Sequence, residues 1–162
     1  MFRTVIFALL LAATAQAAPL FTSAYAGNWR GVGLQSDGSD WDMQVTLGPT
    51  LGMVRYPNLN CGGQWHYSDV ASGSLSGIET IDYGLENCIE TGQVYLEPFA
   101  ENRIFFMWCG AGEGVSAVAV LERDGFFPGD YAAQRAASAA ALAARGAALE
   151  NITCAGNKWL GV

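Results

Sequence analysis

Tyr56-Pro-Asn-Leu-Asn-Cys-Gly-Gly-Gln-Trp65 packs a strand end, a turn, a cysteine, two glycines and a new strand into ten residues. Pro57 cannot donate to a strand ladder, so pairing stops there. Gly62-Gly63 opens the next strand, which runs on through Trp65 and Tyr67. A hairpin fastened by a disulfide needs this arrangement. The stretch is a structural signature, in which Gly62 and Gly63 serve the backbone and Cys61 serves a cross-link.

The pattern spreads outward from that hairpin. Upstream, Trp41, Met43, Val45 and Leu47 alternate with Asp42, Gln44 and Thr46, the mark of a half-buried strand. Gly48-Pro-Thr-Leu-Gly52 supplies a turn before a return strand over Met53 to Tyr56. Asn28 to Gln35 is the first strand. Downstream, strands are expected over Ser76–Tyr83, Gln93–Glu97, Arg103–Cys109 and Val115–Arg123. Ile104-Phe-Phe-Met-Trp108 is apolar on both faces, so this strand should be central and covered on both sides. About eight short strands with tight connections describe a mainly β, antiparallel up-and-down barrel, which also removes exposed edges. A two-sheet β-sandwich is the alternative.

After Gly125 the chain changes character. Phe126-Phe-Pro-Gly is a break, Asp130 is a suitable helix N-cap, and Tyr131 to Glu150 is dominated by alanine, the best helix former. The helix has few large apolar side chains with which to pack; Leu142 and Leu149 are the candidates.

The N-terminus sets the expected compartment. Arg3, the apolar run Val5–Ala13 and Ala15-Gln-Ala17 have the layout of a cleaved bacterial signal peptide over 1–17. The run is too short for a membrane span, which takes about 20 residues. An extension (18–26), a barrel domain (27–124) and an Ala-rich helix with a tethered tail (125–162) would then follow, in the periplasm or outside the cell. No integral span remains after cleavage.

In an oxidising compartment the four cysteines, Cys61, Cys88, Cys109 and Cys154, read as two disulfides. Four cysteines allow three pairings; chain order favours Cys61–Cys88 and Cys109–Cys154. Zinc is excluded by spacing, since there is no C-x-x-C and His66 is the single histidine. Cleavage would remove one of eight basic residues and none of fifteen acidic ones, taking the formal charge from −7 to −8. That balance argues against nucleic acid and anionic membrane surfaces.

Two local patterns are familiar. Gly27-Asn-Trp29-Arg-Gly31 resembles the G-x-W element that opens lipocalin-type (calycin) barrels. The resemblance implies that Trp29 closes the barrel base and that Arg123 stacks on it, a contact worth roughly 0.5–2 kcal/mol. More broadly, G-x-W-x-G, Tyr56-Pro-x-Leu-x-Cys-Gly-Gly-x-Trp65, Glu79-x-Ile81-x-x-Gly84 and Cys88 together resemble a small bacterial extracytoplasmic domain found in secreted proteins and in sensor regions of bacterial kinases. This likeness covers about residues 27–123 and implies fold and cross-link rather than an activity.

Candidate chemistry is sparse. His66 alternates with Trp65 and Tyr67 and should face solvent, and no G-x-S-x-G elbow accompanies it. Asp37, Asp40 and Asp42 lack the spacing of a calcium loop. Glu79, Asp82, Glu86 and Glu90 are clustered, as surface acids usually are. Asn151-Ile-Thr153 is a formal glycosylation sequon. The aromatics remain. Tyr56, Trp65, Tyr67 and Trp108 are the candidate ligand-binding residues, and Trp41 and Phe106 help to fill or line the barrel. The expectation is a non-enzymatic binding protein with no cofactor and no metal. It would hold a small apolar or amphipathic ligand, or else present a filled barrel to a basic protein partner or the envelope.

Overall fold

The computed structural model describes residues 25–69, 73–110, 116–126, 129–145, 153–155 and 158–160, with the side chains at 68–69 and beyond 145 outside the description. The alternating segments become eight strands: β1 (Gly27–Gln35), β2 (Asp40–Leu47), β3 (Leu51–Tyr56), β4 (Cys61–Asp69), β5 (Leu75–Tyr83), β6 (Thr91–Ala100), β7 (Arg103–Gly110) and β8 (Ser116–Arg123). Each pairs antiparallel with the next, and β1 pairs with β8, so the sheet is a closed barrel rather than a sandwich. The expected signal peptide (1–17), most of the 18–26 extension and the sequon residue Asn151 lie outside the described residues.

Alternation decides what fills the barrel. Trp29, Trp41, Met43, Val45, Val54, Trp65, Leu96, Phe106, Ala119 and Leu121 form one buried interior cluster. Trp65 and Phe106 stack at its centre, with ring centroids 5.2 Å apart and planes 11° from parallel. Small residues make room for this bulk. A Cβ built on Gly63 would lie 1.9 Å from the Thr80 carbonyl oxygen, so only glycine lets β4 approach β5 at the bulge between Gly62 and Gly63.

A second cluster lies outside the barrel wall. Leu34, Phe105, Met107, Val118 and Val120 point outward, which is why β7 reads as apolar on both faces, and α1 (Tyr131–Ala144) covers them with Ala141 and Leu142. Asp130 caps α1, accepting a hydrogen bond from the Ala133 N–H at 2.8 Å. Arg145 ends it, pairing with Glu97 and lying 3.8 Å over the Phe105 ring. The alanine-rich segment was expected to continue to Glu150, but residues 146–150, Leu149 among them, lie outside the description. One further element was not foreseen: β9 (Thr153–Ala155) and β10 (Lys158–Leu160) pair as a short antiparallel hairpin.

Candidate functional site

The two ends of the barrel differ. At one end Trp29 and Arg123 face each other in the β1–β8 register. The Arg123 guanidinium lies 4.4 Å over the Trp29 ring and donates to the Ala26 carbonyl oxygen at 2.6 Å, while the Trp29 indole donates to the Tyr25 carbonyl oxygen at 2.9 Å. The stacked pair and its two hydrogen bonds plug this end of the interior. Tyr67 belongs to this end as well, donating its hydroxyl to the Gly48 carbonyl oxygen.

The other end carries the β1–β2, β3–β4 and β5–β6 connections, with residues 111–115 of the β7–β8 connection outside the description. The Cys61–Cys88 disulfide binds the β5–β6 loop to the start of β4, with Cα atoms 6.4 Å apart. Cys109 is also disulfide-bonded; the side chain of Cys154, its expected partner, is not among those described. Beneath the loops lies a cavity of about 120 Å³, walled by Trp41, Tyr56, Leu59, Ile81 and Trp108, with Cys88 and Ile89 at its mouth. Trp41 and Tyr56 meet edge to face, centroids 6.3 Å apart and planes at 77°. The Trp108 ring can lie flat against the wall because a Cβ on Gly92 would come within 2.3 Å of its Nε1. The Nε1 atoms of Trp41 and Trp108 are buried and make no hydrogen bond of good geometry.

One group in this cavity belongs to the Glu79-x-Ile81-x-x-Gly84 motif, yet it was assigned to no site from sequence. Glu79 reads as a surface acid, yet it is 2 % exposed and points inward from β5. Its Oε1 accepts from the Tyr56 hydroxyl at 2.5 Å and from the Trp65 indole at 2.8 Å. Burial pushes the carboxyl above the ordinary carboxylate range, against the pull of these two donors and of the nearby Trp108 indole. The Tyr56 hydroxyl is pushed well above its usual value, by burial first and by Glu79 second. The available signal was positional: Glu79 shares a face with Ile81, whereas Ile78 and Thr80 are on the exposed one.

Of the four aromatics proposed from sequence, Tyr56 and Trp108 line the cavity. Trp65 lies deeper and fully buried, and orients Glu79. Tyr67 sits at the opposite end. His66 is exposed on the outer wall, across the sheet from the cavity. The acidic stretch is divided between separate tasks. Asp37 accepts from the Ser39 N–H and hydroxyl within its own turn, while Asp40 accepts from Tyr131 and Arg135 and fixes α1 to the hairpin. No protein-family model matches the chain, and no curated protein is significantly similar to it.

Proposed function

We propose that this chain is a secreted, non-enzymatic binding protein of the periplasm or cell exterior that holds a small apolar or amphipathic ligand in the mouth of its barrel. The observation that carries the reading is the asymmetry of the interior. One end is plugged by the Trp29–Arg123 stack, while the other keeps an aromatic cavity of about 120 Å³ beneath a disulfide-fastened loop. Concave, largely apolar pockets with a few convergent polar groups are the usual form of small-molecule sites. An apolar cavity of about 150 Å³ takes up benzene, so this one suits a single ring or a short branched end group. Disulfides at both Cys61–Cys88 and Cys109 suit an oxidising compartment, and no helix among the described residues is long and apolar enough to cross a membrane.

Native mass spectrometry of the protein purified from the periplasm, before and after mild denaturation, tests this. Excess mass that leaves on unfolding supports the reading. A bare mass, with tryptophan fluorescence unmoved by a panel of small aromatic and aliphatic compounds, overturns it. A second reading has its own observation: Leu51, Met53 and Ile78 are exposed on the outer wall of β3–β5, with His66 paired between Leu51 and Ile78. As a docking face on an acidic protein it predicts salt-sensitive capture of a basic partner.

A further inference from the structure

The geometry points to a chemical class for the ligand: a small organic cation, with its ammonium head seated between the rings of Trp41, Tyr56 and Trp108 and against the carboxylate of Glu79. This rests on the cavity being a ligand site and goes beyond it by assigning the charge.

Among the described residues lining the cavity, Glu79 is the one that can carry charge, and none is Lys, Arg or His. Its hydrogen-bonding needs at Oε1 are met by neutral donors, the Tyr56 hydroxyl and the Trp65 indole. These fix the carboxyl in place and supply no positive charge to balance its ionised form. A buried carboxylate without an opposite charge is costly, and here the missing partner can enter through the mouth. The walls suit the same guest. Trp41 and Tyr56, at 77° to one another, form a corner of two rings, and Trp108 supplies a third wall. Ring faces attract ammonium groups, tryptophan most strongly. A trimethylammonium head has about the bulk of benzene, the scale that such a cavity accepts. An anionic guest would meet Glu79 in a low dielectric and be repelled, while the formal charge of −7 favours the approach of cations.

Proton linkage follows from the same contacts. Burial raises the carboxyl, so a cation that needs the ionised form displaces a proton, and binding tightens as pH rises through the titration of Glu79. Tyr56 is the other titratable group facing the carboxyl among the described residues, and it stays protonated throughout. The remaining neighbours are the indoles of Trp65 and Trp108, and Cys61 and Cys88 are held in their disulfide.

The test is a tryptophan-fluorescence titration of the full mature chain, disulfides intact, with choline, its uncharged isostere 3,3-dimethyl-1-butanol and the anion pivalate. Choline should bind saturably, the isostere at least about tenfold more weakly, roughly the worth of one desolvated cation–ring contact, and pivalate not at all. Glu79→Gln keeps the size of the side chain and an acceptor for Tyr56, and should abolish the preference for choline. The comparison within the native protein stands even if that variant fails to fold. An isostere that binds as well as choline overturns the assignment of charge while leaving the apolar cavity reading intact. Silence from all three probes, together with a bare native mass, overturns both.

Discussion

Glu79 and Arg123 show how single side chains set the two ends of the barrel. In the fold the Glu79 carboxyl holds its proton to a higher pH than in the unfolded chain, where the ordinary value is 4.5. Its contribution to stability is therefore fullest below that value and is lost as pH rises through its native titration. Glu79→Gln is neutral at every pH, so the variant should match the native chain near about pH 4 and gain on it by about pH 8, as read from urea midpoints. A pH-independent difference would mean that the carboxyl titrates normally. At the plugged end, Arg123→Ala removes a ring contact and the hydrogen bond to Ala26, and should cost about 1–3 kcal/mol in thermal or chemical unfolding. Arg123→Lys should restore only part of this, because an ammonium lacks the flat face that lies over Trp29. The Trp29–Arg123 pairing was legible from a short motif and the position of the last strand. Glu79 was not, because strand acids are so commonly exposed that period-two alternation alone does not outweigh composition.

Helix α1 acts on the barrel by a route that composition hides. The β1–β8 ladder runs from Trp29–Arg123 to Gly31–Leu121 and resumes only at Leu34–Val118. In the gap the fully buried Ser138 accepts from the Val120 N–H at 2.9 Å and donates to the Val32 carbonyl oxygen at 2.8 Å. A hydroxyl both donates and accepts, so one side chain bridges the strands where they do not bond each other. The buried stripe Gln134, Ser138, Ala141 and Leu142 has helical spacing, yet half of it is polar, and a count of large apolar residues finds only a weak face. Ser138→Ala would orphan both backbone groups. It should cost about 1–3 kcal/mol and lower the hydrogen-exchange protection of the Val120 amide. Ala139→Ser and Ala140→Ser, on the exposed side of α1, should stay within about 0.5 kcal/mol. Equal effects at all three positions would remove the seam role from Ser138. The β9–β10 hairpin escaped notice for a related reason: three-residue strands carry almost no alternation.

At the scale of the whole molecule, the fold is legible from sequence because every strand pairs with its chain neighbour, so local alternation and turn chemistry suffice to order eight of them. The cavity is less legible, since it depends on how much of the interior the aromatics leave empty, a sum over all eight strands. The two cross-links separate these matters. Cys61–Cys88 spans 27 residues, and chain entropy allows it at most ~3.5 kcal/mol; it also fixes the loop whose Cys88 and Ile89 form the cavity mouth. Cys109 points away from the interior, alternating with Trp108 on β7. Replacing Cys61 and Cys88 together by alanine should therefore lower the unfolding midpoint and loosen the binding of any cavity probe. Replacing Cys109 and Cys154 together should lower the midpoint alone. The reason is geometric: a bond at the mouth restrains the loop against which the guest packs, whereas Cys109 faces away from the interior and its bond leaves that loop untouched. If the second pair weakens the probe as much as the first, the site is being held by global stability rather than by its own loop, and the mouth would have to be sought elsewhere on the barrel.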